Sequence, residues 1–102
     1  MNRGKETKAN PYKSFLNDVP SSNVFWCHDG TVLKNIAELA NALKVMPADT
    51  YNYHVNNEKN DFRNWIRDVI GDTTLANQLV KGVNQQSALS RVESRLRFIK
   101  AL

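Results

Sequence analysis

This chain has little of what most enzyme chemistry needs. Cys27 is the only cysteine in 102 residues, which excludes an intramolecular disulfide and a zinc cluster of thiolates built within one chain. Its four glycines are isolated from one another, so no Gly-rich loop is present to cradle a phosphate. No apolar run approaches the roughly 20 residues that a membrane-spanning helix requires. The opening Met1-Asn2-Arg3-Gly4-Lys5-Glu6-Thr7-Lys8 lacks the apolar segment of a secretory signal. A cytoplasmic, reducing compartment and no membrane contact are therefore expected. A nucleophile paired with a base is missing as well. Cys27 and His28 are neighbours, and on an extended segment neighbouring side chains point to opposite faces. These absences predict a non-enzymatic protein that uses no cofactor.

What is present begins with an uneven charge. Residues 1–20 carry Arg3, Lys5, Lys8 and Lys13 against Glu6 and Asp18, and residues 81–102 carry Lys81, Arg91, Arg95, Arg97 and Lys100 against Glu93. The middle is slightly acidic, and the whole chain is +4. Basic ends of this kind can steer a polyanion. Residues 1–20 are otherwise polar and are punctuated by Pro11 and Pro20, which reads as a flexible basic tail. Within it Tyr12, Phe15 and Leu16 are apolar enough to dock on the domain or on a partner.

Residues 21–102 read as a single small domain. Val24-Phe25-Trp26 is an extended arm followed by an Asp29-Gly30 turn, with too few strand-like runs beyond it for a sheet and room for one short edge pairing. Ile36, Leu39, Ala40 and Leu43 recur at helical spacing, and Asn35 with Glu38 approximates a capping box, so a helix is predicted over 36–44. Pro47 opens a second helix, to about Val55, with Tyr51, His54 and Val55 inward. A third, about Asp61–Ile70, is capped by Asn60 or Asp61, presents Phe62, Trp65, Ile66, Val69 and Ile70, and stops at Gly71. A fourth, about Asp72 or Thr73 to Lys81, buries Leu75, Leu79 and Val80. The fifth, about Gln85–Leu102, carries Leu89, Val92, Leu96 and Ile99. The predicted fold is all-α: a compact bundle of about five short helices, preceded by the extended arm and the tail.

The most distinctive run is His54-Val55-Asn56-Asn57-Glu58-Lys59-Asn60-Asp61-Phe62-Arg63-Asn64-Trp65-Ile66-Arg67-Asp68-Val69-Ile70-Gly71-Asp72, continuing to Ala76. Together with Phe25-Trp26-Cys27-His28-Asp29-Gly30 and Asn35-Ile36-Ala37-Glu38-Leu39-Ala40, it resembles a family of small uncharacterised helical domains of archaea and bacteria. The resemblance covers most of the chain from Val24 onward and leaves out the basic tail. It implies the helical domain and no particular activity, since no activity is associated with that family.

Several residues are candidates for function. His54 and Asp61 bracket the polar loop, and with His28 and Asp29 they offer imidazoles and carboxylates to a divalent metal. Their spacing matches no ligand signature, and a hydrogen bond from His54 to Asp61 or to a carbonyl is the simpler expectation. Trp65 shares a helix face with Phe62, which assigns both to the core. Tyr51 and Tyr53 lie on opposite sides of the second helix, so Tyr53 is the exposed one. Trp26, Tyr53, Asn56 and Asn57 are the expected contacts for a protein partner. Arg91, Arg95, Arg97 and Lys100, extended by Lys5, Lys8 and Lys13, are the expected contacts for a polyanion, unless Glu93 pairs with Arg97. A short helix–Gly71–Asp72–helix turn with Lys81 as its one cation does not make a groove-reading motif. The leading expectation is an interaction or adaptor domain for a protein partner. The alternative is a nucleic-acid- or ribosome-associated factor.

Overall fold

The computed structural model describes residues 10–102, so Lys5 and Lys8 lie outside the described residues. A hairpin of β1 (Phe25–Trp26) and β2 (Val32–Leu33) precedes α1 (Ile36–Val45), α2 (Ala48–His54), α3 (Asp61–Trp65), α4 (Thr73–Gln78) and α5 (Gln85–Ala101). The expected all-α architecture of about five short helices is the one found. Four of the helices start where a side chain accepts an otherwise orphaned amide. Asn35 takes the Glu38 N–H at 2.8 Å, Asn60 that of Arg63 at 3.1 Å, Asp72 that of Leu75 at 3.1 Å and Asn84 that of Ser87 at 2.8 Å. Each such cap stabilises its helix by about 1 kcal/mol. At α1 the reciprocal half of the box is displaced by one residue, because Glu38 accepts from the Lys34 N–H at 2.8 Å.

α1 and α5 form the principal helix pair. They run antiparallel, with Lys44 3.5 Å from Glu93 at one end and Ala37 sharing a cleft with Lys100 at the other. The stripe Ile36, Leu39, Ala40 and Leu43 is buried, as are Leu89, Val92, Leu96 and Ile99. Phe62 and Trp65 lie inside with Tyr51, and Phe25 closes the layer, its ring 4.9 Å from Phe62 and 5.8 Å from Trp65.

Two helices depart from their expected lengths. After Trp65 the third helix widens into a π turn over Ile66–Ile70, in which the N–H groups of Gly71 and Asp72 both reach the Ile66 carbonyl, at 2.7 and 3.2 Å. Gly71, at φ 89, makes the left-handed exit that ends it. The fourth helix stops at Gln78 rather than Lys81, and Val80 is 46% exposed instead of buried. At this end the Gln78 carbonyl accepts from Arg91 at 2.7 Å, and the Leu79 and Val80 carbonyls accept from the Asn60 amide at 3.2 and 3.3 Å, so side chains from elsewhere in the chain satisfy the orphan carbonyls.

The described part of the expected 1–20 tail is laid against the domain. Asn10 donates to the Ile99 carbonyl at 2.9 Å, Tyr12 packs on Phe15 and Phe98 at 6.0 and 6.1 Å, and the Val19 N–H reaches the Lys34 carbonyl at 2.8 Å. Tyr12, Phe15 and Leu16 have the apolar surface that makes this docking favourable.

Candidate interaction surface

His54 is the joint on which the front of the domain is assembled. It is 4% exposed, and both ring nitrogens are engaged. Nε2 accepts the His28 backbone N–H at 2.9 Å, so the ring proton sits on Nδ1 and is donated to Asp61 Oδ2 at 3.0 Å. Asp61 Oδ2 also receives the Lys59 ammonium at 2.9 Å. One imidazole therefore links the end of α2, the first turn of α3 and the hairpin. Its two nitrogens leave no lone pair for a metal, and among the described residues no three His, Cys, Asp or Glu side chains gather as a ligand set. His54 and Asp61 are thus hydrogen-bonded to each other across the loop that their spacing brackets.

The aromatic residues around this joint are closed in. Trp65 donates its indole N–H to the Asn23 carbonyl at 2.8 Å, and the Tyr51 hydroxyl donates to the Val83 carbonyl at 2.6 Å. Burial pushes the Tyr51 phenol up to about 12, against the opposing pull of the Arg91 charge. Burial, with the Asp29 carboxylate adding to it, raises the Cys27 thiol to about 11. At neutral pH Cys27 is therefore a buried thiol rather than a nucleophilic thiolate.

Outward from the joint, the side chains are exposed. Tyr53 is 52% exposed and stacks on His28 at 4.0 Å, while the Lys59 ammonium sits 5.0 Å from the Tyr53 ring. Trp26 is 68% exposed on β1, directly across from Val32 on β2. Asn56 and Asn57 are exposed, but their side chains also build the loop. Asn56 accepts the N–H groups of Glu58 and Lys59 at 2.8 and 3.2 Å, and Asn57 lies so near Gly82 that a Cβ there would meet its Oδ1 at 2.9 Å.

Beside the hairpin an open, mostly apolar groove of about 270 Å³ runs between Val32–Leu33 and the Glu38, Asn41, Ala42 and Val45 face of α1. Val45 on its rim is 78% exposed. Sequence reasoning passed over Val32 and Val45. The signal for Val45 was available: it is apolar yet lies off the Ile36–Leu43 stripe, which leaves it no core position.

The basic residues are distributed differently from the expectation. Arg95 is bound to Asp72 through one edge of its guanidinium, Nε donating to Oδ2 at 2.8 Å and Nη2 to Oδ1 at 3.0 Å, in a pair whose side chains are 10% and 1% exposed. Arg91 donates to the Gln78 carbonyl at 2.7 Å and so satisfies the end of α4. The expected phosphate-facing pair of Arg91 and Arg95 is instead turned onto α4. Glu93 pairs with Lys44 rather than with Arg97, which donates to Ser94 at 3.1 Å. Arg97 and Lys100 line a polar cleft of about 360 Å³ with Asn41 and Glu93, and Lys13 is exposed.

Among the described residues no helix is long and apolar enough to cross a membrane. Compared with protein-family models, with curated proteins and with solved structures, the chain matches none.

Proposed function

We propose that this is a non-catalytic interaction domain that binds a protein partner in the cytoplasm through the hairpin side of the fold. Trp26 carries the reading: a large indole left 68% exposed on a strand that the buried His54 ring holds in place. Trp and Tyr dominate interface energetics. Val32, Val45 and Tyr53 extend the same kind of surface. The polar chemistry next to it is internally satisfied, with His54, Asp61 and Lys59 bound to one another.

Binding to nucleic acid or the ribosome is the second reading, and Arg97, Lys100 and Lys13 are its remaining described contacts. Two of the four cations of α5 already hold the fold together, which leaves a thin footprint for phosphates. Affinity purification of the whole chain from native cells, with and without nuclease, separates the two. Under the protein-binding reading the co-purifying proteins survive nuclease and are lost with Trp26→Ala. Loss on nuclease treatment, with Trp26→Ala behaving like the wild type, would replace this reading with the second.

A further inference from the structure

The outer edge of β2 is an unfinished sheet. The Cys27 N–H bonds the Thr31 carbonyl at 2.8 Å, which fixes the hairpin register, with Phe25 opposite Leu33 and Trp26 opposite Val32. Antiparallel pairs alternate between bonded and non-bonded, so Phe25 and Leu33 exchange main-chain hydrogen bonds while the N–H and C=O of Val32 point out of the hairpin. No hydrogen bond among the described residues uses them. Two residues along the same edge, the outward groups of Lys34 are both taken, its N–H by Glu38 at 2.8 Å and its carbonyl by the Val19 N–H at 2.8 Å. The chain has thus begun to add a strand to this edge with Val19 and leaves the Val32 position open.

The groove described above lies directly along that open position. Its far wall is one stripe of α1, Glu38, Asn41, Ala42 and Val45, at helical spacing. An extended segment pairing with Val32 sends alternate side chains to opposite faces of the enlarged sheet. One side chain enters the groove against Leu33, Ala42 and Val45, and its neighbours lie on the outer face beside Val32 and Trp26. Among the described residues Glu38 is the only charged one lining the groove, and its Oε2 has no partner among them.

We infer that β2 accepts an extended peptide segment of a partner protein as an added strand, with an aliphatic side chain in the groove and a neighbouring Lys or Arg on Glu38. Main-chain bonds to Val32 supply register, and the groove and Glu38 supply sequence preference. This rests on the protein-binding reading and specifies the form that the partner takes.

The test pans a phage-displayed library of random peptides against the full chain, then measures binding of the enriched peptide to wild type, Val32→Pro and Val45→Asp. Proline is tolerated on a sheet edge and removes the donor, whereas Val45→Asp alters only an exposed side chain. The inference expects enriched peptides with alternating aliphatic residues and an adjacent cation, and about tenfold slower exchange of the Val32 amide in the complex. Each variant should weaken binding about fivefold or more, the effect of one main-chain hydrogen bond or one apolar anchor. N-methylation of the enriched peptide along its bonding edge keeps the test decisive if Val32→Pro misfolds, since it must abolish binding to wild type. No enrichment, or binding that leaves the Val32 amide unprotected and ignores Val45→Asp, overturns strand addition. The protein-binding reading is judged separately, by the Trp26→Ala purification.

Discussion

Replacing Asp72 with Ala should come close to unfolding this domain, and the structure gives the size of the effect. The carboxylate is 1% exposed and does two jobs, capping α4 through the Leu75 N–H and accepting two hydrogen bonds from the Nε/Nη2 edge of the Arg95 guanidinium. Losing the cap costs about 1 kcal/mol. Removing one partner of a buried ion pair strands the other charge, at about 3–5 kcal/mol. The sum, about 4–6 kcal/mol, rivals the whole stability of many small domains, roughly 5–15 kcal/mol. At about 4–8 °C per kcal/mol for a domain of this size, the midpoint should fall by more than about 15 °C. Thermal and urea unfolding followed by far-UV circular dichroism measures it. The double variant Asp72→Asn with Arg95→Met keeps a capping side chain and removes the stranded charge, so it should recover most of the loss. A cost below about 1 kcal/mol for Asp72→Ala would refute the reasoning. So would a double variant as unstable as the single one.

Three further outcomes follow from the same structure. Cys27 and Tyr51 hold their protons more tightly folded, at about 11 and about 12, than at their ordinary values of 9.0 and 10.0. Stability is therefore whole below about pH 9 and declines as the pH rises through these ranges, and Cys27→Ala should delay the onset of alkaline unfolding seen by circular dichroism. Gly82→Ala meets both a φ of 73 and the Asn57 side chain at 2.9 Å, so a loss of about 1–2 kcal/mol is expected in urea titration, together with faster exchange in the Asn56–Lys59 turn. His54→Phe keeps an aromatic ring, slightly larger, but removes the acceptor for the His28 N–H. It should cost about 1–3 kcal/mol and speed exchange at that amide, and no change at His28 would dissociate the ring from the hairpin.

How much of this the sequence discloses depends on whether the determinant is local. Asn35 and Glu38, the apolar stripe of α1 and the Gly71 stop lie within a few residues of what they control, so the helices are legible. The assignment of Phe62 and Trp65 to the core follows from the face they share. The His54–Asp61 bond was within reach too, because seven residues separate the partners and a single loop joins them. The fate of Arg95 was hidden, since its carboxylate lies 23 residues earlier and only the packing of α4 on α5 brings them together. The early end of α4 was hidden for the same reason, since the side chains that satisfy its last carbonyls, Asn60 and Arg91, come from 19 residues upstream and 13 residues downstream. The groove depends on how α1 turns back beside β2, a tertiary angle that no periodicity encodes.

Whether function lies on the hairpin is best decided by amide hydrogen exchange of the whole chain, free and within the assembly purified from native cells. The hairpin reading predicts that protection on assembly concentrates in Trp26–Leu33 and around Val45, with Arg97 and Lys100 unchanged. Protection confined to the exposed cations of α5, with the hairpin exchanging as in the free chain, would contradict it.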